Sequence, residues 1–297
     1  MEQNTPLRRT ALFYTIIAFA TAMISLVLQE LSLIISYDTE IGYFESGAIL
    51  PIITLVFGIA SILFFALFSF LNFRKKEVAY PKATHPAVKL ASAICAAISL
   101  LLGIYDLKAG SSVPELLFCF GACLYFLLIL TSKTTPALSL VFGFCVILRL
   151  LTALAASYGN LFLPMNSPEK LWLSTAIVAA MFFLVSEIRA LVTKPYTALW
   201  FFSAASAVSM LWPSSLILIQ GSNEGVFYQP TDTGTMIFAF LLFAMSIYAT
   251  MRLFTVAINP LPVEAPEVID DPTEDIEKIE ETEETEPTEE SQETDNE

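Results

Sequence analysis

The chain has 297 residues, 56% of them hydrophobic, and carries 29 acidic residues against 15 lysines and arginines, a formal charge of −14. The acidity belongs to one segment: residues 264–297 hold 17 acids with Lys278 as the single base, a charge of −16, so the remainder carries +2. That distribution excludes a basic, aromatic-studded nucleic-acid surface, and unbroken apolar windows exclude an ordinary soluble domain, whose helices alternate apolar and polar faces.

Eight apolar stretches follow one another, near 11–36, 47–73, 87–105, 115–132, 137–157, 170–193, 197–220 and 232–256. Each is close to the roughly 20 residues needed to cross about 30 Å of hydrocarbon. Backbone groups in lipid must find partners within their own segment, so the stretches read as helices. The expected fold is all-α: a polytopic transmembrane helical bundle of about eight spans in four tandem hairpins, residues 1–258, with a disordered acidic tail over 259–297.

The first span is preceded by Arg8 and Arg9, and Ala20-Thr21-Ala22 offers a cleavage-like site. These features hint at an export signal. The apolar run continues to Ile34 and Ile35, too long for a signal core, and is read as a retained anchor. Placing the N-terminus in the cytoplasm puts eleven bases inside, from Arg8 and Arg9 to Arg189, Lys194 and Arg252. Only Lys108 and Lys170 fall outside, the asymmetry expected of cytoplasmic loops. An even number of spans, both termini cytoplasmic and residence in the plasma membrane follow as expectations. Tyr43, Phe44, Tyr105, Tyr158, Trp172, Phe227 and Tyr228 fall near the outer boundaries, where aromatic rings favour the headgroup zone.

Prolines 6, 86, 136 and 195 each precede an outward-going span, and Val113-Pro114-Glu115 resembles Ser167-Pro168-Glu169 at the start of two returning ones. Proline suits a first helical turn, where its missing N–H has no partner to lose. The recurrence reads either as tandem duplication of a hairpin or as ordinary helix-start chemistry. Small residues four apart in the third span (Ala91 to Ala97) and the seventh (Ser203 to Ser209) let backbones approach closely. Both spans are expected at the centre of the bundle, and the Leu- and Phe-rich others toward lipid.

Charged groups at membrane depth cost at least about 2.5–3.5 kcal/mol at a helix centre, which makes them the main functional pointers. Arg149 is the clearest, and it is expected to meet Glu30, which neighbours Gln29 near the outer end of the first span. Pro213 breaks the seventh span beside Ser214 and Ser215, with Gln220 beyond. Glu30, Gln29, Arg149, Ser214, Ser215 and Gln220 thus form a candidate intramembrane polar cluster. It reads either as a structural ion pair beside an ordinary kink or as the lining of an outward-facing cavity.

Glu187 and Arg189 read as snorkelling boundary residues, Cys119 and Cys123 as helix packing, and His85, the sole histidine, as a solvated loop residue. One histidine leaves no zinc motif, and no GxSxG, P-loop or GxGxxG is present. No enzymatic activity, metal or cofactor is expected. Two classes remain. One is a non-enzymatic membrane scaffold or accessory subunit whose acidic tail meets a basic cytoplasmic protein partner. The other is a transporter or binder of a small or amphipathic solute. A polar cavity that reaches Arg149 would separate them.

Overall fold

The computed structural model describes residues 5–74, 78–79, 85–161, 167–192, 196–224, 227, 232–258 and 261–262. Residues 263–297 of the acidic tail, Pro195 and Tyr228 lie outside the described residues, while Leu261 and Pro262 of the expected tail lie within them. Eight helices run in order: α1 (Thr5–Ser36), α2 (Ile49–Phe73), α3 (Pro86–Ala109), α4 (Val113–Thr131), α5 (Pro136–Gly159), α6 (Pro168–Val192), α7 (Thr197–Glu224) and α8 (Thr233–Ile258). Each is long and apolar enough to cross a membrane. The chain is an integral, multi-pass membrane protein with an all-α bundle.

Local chemistry explains the helix boundaries. Pro86 and Pro136 occupy first turns as expected, and their caps are side chains: His85 Nδ1 accepts from Ala87 N–H and Thr135 Oγ1 from Leu138 N–H. His85 is therefore the exposed N-cap of α3. Gly110 ends α3 with φ of +74°, a left-handed conformation that glycine adopts without a Cβ clash. Ser112 opens α4 and donates through its N–H and Oγ to Glu115 Oε2. Within the spans, hydroxyls such as Ser92 and Thr175 donate to carbonyls four residues back, which satisfies them inside an apolar surround.

Helices α3 to α8 form a closed ring: each packs on the next, and α8 returns to α3. Outside it, α1 lies against α7 and α8, and α2 against α1 and α7. The four hairpins are present, but contacts between them are as intimate as contacts within them. Gly121 and Gly143 mark where: a Cβ at Gly121 would stand 2.5 Å from Cys145 Cβ, and one at Gly143 2.5 Å from Ile188 Cδ1. Helix α7 is the most enclosed, as its small residues suggest, and the Ser186 and Ser203 hydroxyls bond one another across α6 and α7. The other expectations need correction. Helix α8 is more enclosed than α3, because Ala244, Ala249 and Ala257 give it a packing face of its own, while α3 exposes Leu90 and Leu101. Trp172 and Phe227, near the tip-side helix ends, are buried with Leu33, Ile217 and Leu218, so their rings face protein.

The hairpin tips, including the α3–α4 and α5–α6 connections, define one side of the bundle, called here the tip side. The base side holds the α2–α3 connection and the end of α8. The strands β3 (Val78–Ala79) and β4 (Leu261–Pro262) pair antiparallel there. A second small ribbon, β1 (Tyr37–Asp38) with β2 (Tyr43–Phe44), turns the chain between α1 and α2 at the tip side.

Candidate functional site

A charged pair stands inside the ring in each half. In the base half, Glu187 of α6 meets Arg252 of α8, with Nε 2.7 Å from Oε1 and both side chains 1% exposed. Tyr248 donates its hydroxyl to Oε1 at 3.0 Å, and Trp200 donates Nε1–H to Oε2 at 2.8 Å. Helices α7 and α8 thus supply three donors to one carboxylate of α6, which is how a buried charge is retained at all. Around it the interior is filled with rings: Phe126 and Phe183 lie 5.7 and 6.1 Å from Tyr248, and Tyr125 is wholly buried beside Phe126. The expectation that Glu187 snorkels at a boundary is corrected: it is buried, whereas Arg189 is exposed. Arg252 likewise leaves the tally of loop bases, because it serves as the counter-ion of Glu187. Lys170 leaves the opposite side of the tally, being 4% exposed with Nζ 3.1 Å from the Asn160 carbonyl.

In the tip half, Arg149 of α5 reaches Asp106 of α3, with Nη2 3.2 Å from Oδ2. Cys119 of α4 completes a triangle: Arg149 donates Nε–H to its sulfur at 3.0 Å, and the thiol donates to Asp106 Oδ2 at 3.3 Å. The guanidinium also lies over the Phe238 ring of α8, 5.3 Å from its centroid. Cys119 therefore bridges an ion pair; it is more than the packing residue its spacing implied.

This pair lies at the floor of a cavity of about 570 Å³ with walls from all six ring helices. The cavity runs from Ser111, Asn160 and Asp232 at the tips down to Arg149, which lies about 15 Å below the end of α5 at 1.5 Å per residue. Its walls carry Glu115, Glu169, Asp232 and Lys170, together with the Tyr105 and Phe238 rings and the small side chains of Ala153 and Ala156. Volumes of this order are typical of small-molecule pockets. Because Gly143 abuts Ile188, Glu187 lies one residue from that level, and Arg149 stands about 9 Å further toward the tips. The ring interior is thus open above Arg149 and filled with aromatic rings around Glu187.

The expected polar cluster divides. Arg149 takes Asp106 as its carboxylate, not Glu30, because α5 packs against α4 and α6 whereas α1 packs against α2, α7 and α8. Gln29 is buried on α1 with Nε2 3.5 Å from Ser25 Oγ, and Glu30 is half-buried beside it. Pro213 lies within α7; Ser214 and Ser215 are fully buried, with Ser215 donating to the Trp212 carbonyl, while Gln220 is exposed. None of these lines the cavity, to which α7 contributes Leu218 among the described residues. Asp106 was missed because it falls one residue past the expected end of the third span. Gly110, four residues on, was the available signal that the helix continues past it.

No protein-family model matches the chain, and no curated protein or solved structure is significantly similar to it.

Proposed function

We propose that this membrane protein binds a small polar solute in the cavity between α3 and α8, as a transporter or solute receptor, with the hairpin tips facing out of the cytoplasm. What carries the reading is the cavity itself. A space that penetrates a transmembrane ring, carries charged side chains in its wall and ends on an ion pair costs solvation and packing that a passive scaffold has no need to give up. The filled base half is the barrier that such a protein needs beneath its site. The basic residues that remain on the base side favour placing that side, and both chain ends, in the cytoplasm at the plasma membrane.

The test is chemical access. Ala153→Cys and Ala156→Cys, both in the cavity wall, are expected to react with a membrane-impermeant thiol reagent applied to intact cells. Ala180→Cys, at a fully buried position, is expected to remain at the wild-type background. Reaction only after permeabilisation would reverse the orientation, and no reaction at all would remove the cavity from the argument.

The acidic tail supports a second, separable role. Its charge of −16 is repelled by an anionic inner leaflet and attracted to a basic cytoplasmic protein. Affinity capture with the full chain and with residues 264–297 deleted should recover different partners. An identical set would eliminate the tail as a binding arm.

A further inference from the structure

We infer that the cavity selects an amphoteric solute, one carrying an ammonium and an oxyanion within a few bonds of each other; this deepens the solute-binding reading above and rests on it. The bonds that Arg149 and Asp106 make to described side chains fall on Nε, Nη2 and Oδ2. Arg149 Nη1 and Asp106 Oδ1 take none, and both residues line the cavity. A guanidinium has five N–H donors and a carboxylate about four acceptor sites, so each retains unused capacity.

The two spare groups sit on partners already joined 3.2 Å apart. A simple cation at Oδ1 would be repelled by the adjacent Arg149 guanidinium, and a simple anion at Nη1 by the adjacent Asp106 carboxylate. A ligand with both charges adds an ammonium to Oδ1 and an oxyanion to Nη1 without breaking the bond between them. It closes a ring of four alternating charges in a site partly shielded from water, where such bonds are strong. The walls tilt the balance further. With the floor pair neutral, the described wall residues include Glu115, Glu169 and Asp232 against Lys170, an excess of two negative charges among the described residues. That excess draws the ammonium end in and repels a plain anion. The Tyr105 and Phe238 rings leave an apolar face for the rest of the molecule.

Two sources supply this chemistry: a free amino acid, or the ammonium and phosphate of a phosphatidylethanolamine headgroup. The experiment uses the full chain bearing Ala156→Cys in detergent free of that lipid, and reads how far each compound slows modification by a thiol reagent. The compounds are free L-amino acids, their methyl esters, their N-acetyl derivatives, and glycerophosphoethanolamine. The expected result is protection by at least one zwitterion, weakened at least about tenfold when either charge is masked, since a site built around polar groups rejects analogues that leave them unpaired. Protection by glycerophosphoethanolamine with the amino acids inert would assign the lipid headgroup as source, and should recur in nanodiscs with that lipid and vanish without it.

An ester or N-acetyl derivative that protects as well as its parent would overturn the amphoteric class and leave the cavity standing. So would a reactive cysteine that no zwitterion protects. An unreactive cysteine would instead bring down the solute-binding reading itself. The charge-neutral double variant Asp106→Asn/Arg149→Gln should abolish protection while eluting as the wild type does. Should it fail to fold, the analogue series still decides.

Discussion

The two ion pairs of the ring are built from the same chemical groups and live in opposite surroundings. Glu187 and Arg252 are each 1% exposed and encircled by indole, phenol and phenyl rings; Arg149 and Asp106 are 13% and 10% exposed and border an open volume. The difference teaches what an intramembrane charge is for. Glu187 has both oxygens engaged by three donors, so the base-half carboxylate is spent on holding α6, α7 and α8 together. Asp106 has one oxygen engaged and one to offer, so the tip-half carboxylate is available to something that arrives.

The largest effect that would break this contrast lies in the base half. Glu187→Ala leaves Arg252 buried without its carboxylate, a loss of about 3–5 kcal/mol. It is expected to collapse the monodisperse yield in mild detergent. Glu187→Leu with Arg252→Met removes both charges and should recover much of that yield, because buried pairs replaced by apolar groups are often tolerated. If the single and double variants were equally damaged, the pair would not be acting as a unit. Next comes Trp200→Phe, which strips one donor from a buried charge and should lower the thermal midpoint by an amount corresponding to about 1.5–3 kcal/mol. Smallest is Asp106→Asn: the cavity admits water to what remains, so stability should fall by about 1 kcal/mol or less. A destabilisation by Asp106→Asn as large as that of Glu187→Ala would erase the distinction between the halves.

Much of the fold was legible because lipid makes sequence simple. Every expected span overlaps a helix, and the boundaries differ by a few residues where caps extend the chain beyond the greasy core, as Asp106 to Ala109 do in α3. The pairing of charges was not legible. Arg149 lies 43 residues from Asp106 and Arg252 65 residues from Glu187, and hydropathy carries no information about which helices are neighbours. Glu187 and Arg252 sit within two turns of their helix ends, where depth alone cannot separate a snorkelling side chain from one turned inward. The misassigned partner of Arg149 has the same origin: Glu30 lies on a helix outside the ring.

The closure of the ring by α8 against α3 bears on how the protein is made. Spans leave the ribosome in order, so α3 and α6 must reside in the bilayer before their last neighbour exists. Until residue 252 has emerged, the carboxylate of α6 has no guanidinium to meet. The final span is then both the keystone of the wall and the counter-charge that lets the preceding helices settle. A chain interrupted before it would hold an uncompensated acid in hydrocarbon, which gives quality control a physical mark by which to tell an unfinished copy from a finished one.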